Sequence, residues 1–454
     1  MRVAVLAVVL AGCYDPHPQA GSPCTSAGTC PRPLSCVDDV CVASAADAAL
    51  PMADADPTCA CSGGTLLCAG GSTPCSLGCV AAAPAHCARI IPSNGLEPAW
   101  ADSLTARIVI DGSVTINSDT GAITGSFTRA PGTGVIAGVG FENHSFGATP
   151  IGVFVFHALT VPGDITLTGT RAIAFLVGTN ATITGTITGS GGCGAMQACA
   201  GPGGQRGSKS GDLITGCGGG FGASALNGED GGGGGGGNGT VGGKGGNGGT
   251  TVGGVAGGTI CSPPSLEPLI GGGGGGPGGK GTTTVPSYGG GGGGALQITA
   301  MGTLKVIGEI TMSGGGGEGG PVASNSAAGS GGGAGGSVII EAGNVSLVGD
   351  ISANGGGGGG GGEGNVSVAG RPGQNGLTGT QPAAGGLPGA PSAGAGGPGA
   401  AGAQPAGAGL DGGNTTNGGG GGGGVGRIVI REPMPAVGPG GISPTPQLIV
   451  ITTN

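Results

Sequence analysis

Eight consecutive glycines, residues 355–362, follow closely on VIIEAGNVSLVGDISAN, the segment that begins at Val338. A run with apolar residues at alternate places, the mark of a half-buried strand, is succeeded by the residue least able to hold a shape alone. The juxtaposition recurs along the chain. IAFLVGTNATITGTITGSG from Ile173 and LQITAMGTLKVIGEITMSG from Leu296 align without a gap, and the segment from Val338 joins them with one residue deleted. Gly185, Gly308 and Gly349 then share one column, Ile187, Ile310 and Ile351 a second, and Ile183, Val306 and Leu347 a third. A fourth copy, VGRIVIRE from Val425, supplies the first strand only, and QLIVI from Gln447 reads as a closing strand.

A unit of this size cannot bury its apolar face by itself, so repeated units stack and share a core. The expected fold class is all-β: a right-handed parallel β-helix, or solenoid, whose inward ladders are Ile183, Val306, Leu347 and Ile187, Ile310, Ile351. The glycine column fits a bend where unusual backbone angles or close approach exclude a side chain. Further alternating runs, TARIVIDGSVTI, GVFVFHALTV and GDITLTGT, extend the strand region, giving a solenoid over 89–454. No stretch sustains a period of 3.6, so very little helix is expected.

Glycine-rich inserts occupy 191–294, 314–336 and 355–424. Loops of that length without structure are uncommon in a compact domain unless functional or disordered. Two states compete. Such tracts bury little and favour disorder, whereas glycine chains in a polyproline II-like conformation can lie backbone against backbone, joined by amide and CαH···O contacts. Four cysteines in the first insert favour polyglycine II-like packing there. The last insert, with GLPGAPSAGAGGPGAAGAQPAGAG diluted by Pro and Ala, is expected to be mobile.

With 122 glycines among 454 residues, 8% charged and 2% aromatic residues, few side chains can do chemistry and any core is thin and aliphatic. A net charge of -9 without clustered Lys or Arg excludes nucleic acid as a partner. No phosphate-loop pattern occurs in the glycine runs, and neither a cofactor nor a metal is expected.

Residues 1–12 have the layout of an export signal: Arg2, an apolar run from Val3 to Ala11, then Gly12 before Cys13. The run is too short to span a bilayer as a helix. Leu10-Ala11-Gly12-Cys13 resembles the bacterial lipobox, which implies cleavage before Cys13, acylation of its sulfur and a membrane anchor through several acyl chains. Tyr14 stands where an Asp would resemble an inner-membrane retention signal, so the implied address is the outer membrane or cell surface.

The other 14 cysteines fall into groups of 4, 6 and 4: Cys24, Cys30, Cys36, Cys41; Cys59, Cys61, Cys68, Cys75, Cys79, Cys87; and Cys193, Cys199, Cys217, Cys261. Even groups in an exported chain read as disulfide frameworks whose pairing the sequence leaves open. They mark a first small module over 13–42 and a second over 59–88, separated by an Ala/Asp/Pro linker at 43–58. The first resembles Cys-rich modules found behind lipoboxes in exported myxobacterial proteins. Cys75, Cys79, His86 and Cys87 approach zinc-ligand spacing, but paired C-x2-C knuckles are missing.

Asn117-Ser118-Asp119 resembles an element of β-helical polygalacturonases, whose chemistry needs paired carboxylates. The coils lack the partner Asp pair and the Gly-His-Gly, so no catalytic residue is assigned. Glu142, His144 and His157 read as satisfied turn residues. Asp411 supplies one fragment of a calcium-binding nonapeptide where a series is required. Thr182, Thr184, Thr186 and Thr188 resemble the threonine arrays of ice-binding solenoids, but the aligned Lys305, Ile307, Glu309 and Thr311 predict no continuing ladder.

The inserts are similar in composition to the glycine-rich domains of mycobacterial PGRS surface proteins and to the polyglycine tips of some phage adhesins, and the whole resembles exported lipoproteins of myxobacteria. That resemblance implies a non-enzymatic structural or adhesive role at the cell surface, with surface polysaccharide or other cells as partners. A carbohydrate-active β-helix enzyme is the alternative, and it requires two carboxylates converging on one groove.

Overall fold

The computed structural model describes residues 34–37 and 40–43 as backbone, and then 59–75, 77–82, 85–192, 199–209, 212, 216–224, 229–249, 253, 257–280, 287–321, 327–363, 368–435 and 438–453. Cys13, Cys24, Cys30 and Cys193, and with them the signal and linker expectations, lie outside the described residues. Strands and loops make up the described residues, with two short 3-10 turns and no α-helix.

In the first module the strands Leu34–Val37 and Val40–Ala43 pair antiparallel, setting Cys36 opposite Cys41. In the second, three disulfides join Cys59 to Cys68, Cys61 to Cys79 and Cys75 to Cys87 around a small core of Leu66, Cys75 and Ala85. Sulfurs committed to each other cannot ligate zinc, so the near-ligand spacing of Cys75, Cys79 and Cys87 serves covalent stapling instead. A fourth disulfide joins Cys217 to Cys261, and Cys199 has no disulfide partner among the described residues.

Two curled, mostly parallel sheets of seven and eleven strands form the rest of the strand framework. Successive segments stack in register. Val114, Ile165, Ile187, Ile310, Ile351 and Ile442 make one continuous column across the smaller sheet. Ile183, Val306 and Leu347 make another, and Phe154, Phe175, Ile298, Ile340 and Ile430 a third. All of these except the half-buried Ile442 are buried in one apolar cluster or against it. Burying each such side chain contributes about 1.5 to 3 kcal/mol. The single-residue deletion of the third copy is a register irregularity between Ala300 and Thr303. The fourth copy is fuller than its first strand: Ile442–Ser443 continues the column, and Gln447–Val450 pairs parallel with Arg427–Glu432.

At the corner before this column, glycine meets glycine. A Cβ built on Gly163, Gly185, Gly308, Gly349 or Gly440 would stand 1.9 to 2.3 Å from the carbonyl oxygen of the preceding member, beginning at Gly112. Close approach, and not a left-handed φ, excludes a side chain along this column.

The antiparallel strands Gly134–Ile136, Val139–Phe146 and Thr149–Phe156 close one side of the larger sheet. There the buried Arg129 donates to the carbonyls of Val139, Gly121, Ala130 and Gly134 at 2.7 to 3.1 Å and lies 5.6 Å from the Phe141 ring. Burial lowers its pKa, and Glu142 opposes that.

Ile151, Val153, Val155, Ala174, Leu176, Ile339 and Val429 belong to a separate cluster from the inner columns, yet they too are buried. Leu96, Ala101 and Leu104 from the segment preceding the first strand, with Leu266 and Leu269 from the first insert, complete that second core.

The described residues of the inserts run as packed rods. Within 355–362 every third amide donates to the same neighbour: Gly356, Gly359 and Gly362 to Gly333, Ser330 and Ala327; Gly355, Gly358 and Gly361 to Ala400, Gly397 and Gly394; Gly357 and Gly360 to Gln374 and Arg371. The same rod accepts from Gly317 and Gly320, from Gly386 and Gly389, and from Gly420 and Gly423, giving it six neighbours. A Cβ on any of residues 355–361 would lie 1.9 to 2.4 Å from a carbonyl oxygen, so only glycine fits. The Pro- and Ala-diluted insert joins this packing instead of remaining loose. In its rod 370–376, Gly370, Gly373 and Gly376 donate to Gly320, Gly317 and Gly314, and Arg371 and Gln374 donate to Leu387 and Ala384. The remaining register holds the exposed Pro372 and Asn375, so proline sits where no amide donor is needed.

Candidate functional site

Alternation that buries isoleucine inward turns the intervening residues outward. On the smaller sheet this creates a hydroxyl column in consecutive register: Thr115, Thr166, Thr188, Thr311, Ser352 and Ser443. Its members pass from exposed at Thr115 and Thr166, through half-buried at Thr188 and Thr311, to buried at Ser352 and Ser443. The inserts cover the far end, where Ser352 Oγ accepts from the Gly379 amide at 3.2 Å and Ser443 Oγ from that of Gly402 at 2.8 Å. The expectation that no threonine ladder continues is thus corrected in one column alone. Thr182 and Thr186 do meet Lys305 and Glu309, but Thr188 belongs to a column that keeps its hydroxyls.

Beside this column lies a cleft of about 530 Å³, lined by residues 166–170, 188–190 and parts of the first insert including Cys199, Gly201 and Arg206. Several of its polar groups are already engaged. Thr168 donates to the Ile116 carbonyl at 3.1 Å, Thr170 donates to Asp119 at 2.9 Å, and Ser190 accepts from the Ser313 amide at 3.1 Å. The hydroxyls of Thr166 and Thr188 make no hydrogen bond with the described residues, and neighbouring positions in the column place them side by side. Arg206 is exposed at the rim. Among the described lining residues there is no carboxylate or histidine to form an acid–base pair.

The residues singled out from sequence have structural employment. Asn117 Oδ1 accepts from the amides of Asp119 and Thr120 at 3.0 and 3.1 Å, and Asp119 accepts from the amides of Thr170 and Arg171 in the next segment. His144 Nε2 lies 2.9 Å from the Asn94 carbonyl oxygen, and its ring packs edgewise on Trp100. Glu142 and His144 occupy separate register positions, opposite Val153 and Ile151, and His157 follows the paired strand. Asp411 accepts from the Asn247 amide at 2.7 Å, tying two rods together. Among the described residues no group of three His, Cys, Asp or Glu side chains is placed to hold a metal.

Two carboxylate arrangements were not read from sequence. Glu309 and Asp350 are register partners on adjacent strands, bringing together acids that are 41 positions apart and separated by an insert. Burial, and then Asp350, push the Glu309 carboxyl above its usual range. The second is Glu341, fully buried beneath the segment preceding the first strand. It accepts from the Ser93 amide at 3.1 Å, Thr299 Oγ1 at 2.9 Å, Gln297 Nε2 at 3.3 Å and Arg431 Nε at 2.9 Å. Arg431 also pairs with Glu267 at 3.2 Å. Burial pushes the Glu341 carboxyl up, against the opposing pull of Arg431 and the Ser93 amide. Its saturated, solvent-free surroundings make it a fastener of the covering segment. An acid at an alternate position of a strand was the only signal in sequence, and it does not distinguish a solvated face from a covered one.

No family model, curated protein or solved structure matches this chain.

Proposed function

We propose that the chain is a non-enzymatic, lipid-anchored structural or adhesive protein of the cell surface, built as a right-handed parallel β-helix that carries polyglycine II-like inserts. The observation that carries this is the joining of the three inserts into one array of glycine rods across the stacked strands, exemplified by the amides of Gly233, Gly356 and Gly421 donating to Gly329, Gly333 and Gly233. So much backbone ordered at insert surfaces, with so few reactive side chains, suits display and contact. Parallel crossovers are right-handed in about 98% of cases, which supports the handedness. Four disulfides among the described residues favour an oxidising compartment, and the sequence around Cys13 supplies the proposed anchor.

The test is palmitate labelling in a bacterial host, combined with protease shaving of intact cells and an adhesion assay. Incorporation abolished by Cys13→Ala, a surface-accessible product and cells that adhere only when the anchored protein is present are the expected results. Labelling that persists in Cys13→Ala, or a product confined to the cytoplasm, would refute the anchored placement.

One observation favours the enzymatic alternative. Glu309, with its raised carboxyl, and Asp350 stand beside each other as an acid and a base could. Neither lines the cleft. Reducing-sugar or unsaturated-product release from a polysaccharide panel, abolished by Glu309→Gln, would replace the display role with catalysis.

A further inference from the structure

We infer that the cleft beside the smaller sheet binds a neutral, unbranched polyhydroxylated chain, such as a β-linked hexose oligomer, laid across the strands along the hydroxyl column. The inference deepens the display role and rests on it. Thr166 and Thr188 present adjacent, unengaged hydroxyls on neighbouring strands at the cleft floor. Strand separation is about 4.8 Å, a length comparable to the advance of one sugar in an extended β-linked chain. A ligand lying across the strands therefore meets the Thr166 hydroxyl and, one sugar further on, the Thr188 hydroxyl.

The rest of the lining selects the same chemistry. Gly192 and Gly204, half-buried in the lining, carry no side chain that would obstruct the C–H face of a sugar. Arg206 makes no ion pair among the described residues and can donate to ring or hydroxyl oxygens. A strongly anionic chain is disfavoured because Asp164 and Glu309 lie two residues before Thr166 and Thr311, bordering the hydroxyl column. A cationic chain would meet Arg206. With no aromatic side chain among the described lining residues, affinity should be weak for a single site and rise when many anchored copies engage one polymer.

The full chain, purified with its disulfides intact, would be titrated calorimetrically with cellohexaose, the hexamer of galacturonic acid and the hexamer of glucosamine. Cellohexaose should bind, with each charged hexamer at least about fivefold weaker. The double variant Thr166→Val, Thr188→Val should lose about tenfold in affinity, equivalent to two modest hydrogen bonds. Thr160→Val, on an exposed strand position outside the cleft, should bind as the parent does. Circular dichroism and thermal midpoints of the variants identify any loss due to misfolding, and Arg206→Gln gives a second, surface-exposed test with an expected threefold to tenfold loss, on the order of one hydrogen bond.

No binding of cellohexaose, or binding unchanged in both the double variant and Arg206→Gln, would overturn the inference. Stronger binding of a charged hexamer would overturn the assigned ligand class, and suppression of ice recrystallisation without saccharide binding would replace it with ice. The display role has its own readouts in palmitate labelling and cell adhesion, so either can fail alone.

Discussion

Gly308 stands directly against Gly185: a Cβ on Gly308 would lie 1.9 Å from the Gly185 carbonyl oxygen, the same oxygen to which the Glu309 amide donates at 3.0 Å. Backbone therefore occupies the space that a side chain would need, and the hydrogen bond that spaces the segments forbids retreat. Gly308→Ala should destabilise by about 3 kcal/mol or more, at the upper end of overpacking costs. Gly413→Ala, whose Cβ would meet nothing nearer than 3.5 Å, serves as the control and should lie within about 0.5 kcal/mol of the parent. Urea midpoints measure both.

Ile310 lies between Ile187 and Ile351 in the buried column. Truncation leaves a void that backbone-spaced strands cannot collapse into. Ile310→Ala should cost about 2 to 5 kcal/mol in denaturant unfolding, whereas truncating the exposed Ile307 should cost far less.

Period-three bonding makes a prediction about exchange. Amides of Gly356 and Gly359, enclosed by neighbouring rods, should be protected by several orders of magnitude in native-state hydrogen exchange. Those of exposed Gly63 and Gly64 should exchange rapidly. Complete exchange of residues 355–362 within seconds would refute rod packing.

Burial places the folded-state pKa of Glu341 above its unfolded value. Its stabilising contribution is therefore complete below the ordinary carboxylate pKa and declines as pH rises through the raised value, because the folded chain holds the proton more tightly. Unfolding free energy measured against pH should fall over that window, and Glu341→Gln should flatten the slope. Of the other charges facing the site, Arg431 and Glu267 remain paired with each other at 3.2 Å in the variant, while Arg431 exchanges its charged Glu341 partner for a neutral amide. A slope identical in parent and variant would assign the dependence elsewhere.

Cys217 and Cys261 are 44 positions apart, so their bond closes a long loop within the first insert. Replacing both with serine should cost about 4 kcal/mol by chain entropy, reduced by whatever structure the unfolded insert retains. Protease cleavage should begin within 199–280 in the variant, while the column through Ile187, Ile310 and Ile351 remains resistant.

The amino-acid sequence by itself determined the strand repeat, its register and the exclusion of side chains at Gly185, Gly308 and Gly349. Strand alternation and residue size act locally, and identical spacing forces identical stacking. It also carried the packing rule of the rods, since proline at Pro372 falls where an amide has no neighbour. Tertiary structure decided which rod lies beside which, that the diluted last insert joins the packing, and that the Thr188 and Thr311 hydroxyls belong to a column running from Thr115 and Thr166 to Ser352 and Ser443. It also decided the burial of Glu341, because Ser93 and Arg431 reach it from 248 positions before and 90 after. Glycine bears no side chain to specify a partner, and a polar residue at an alternate position looks the same whether water or another part of the chain covers it; only the assembled backbone resolves either.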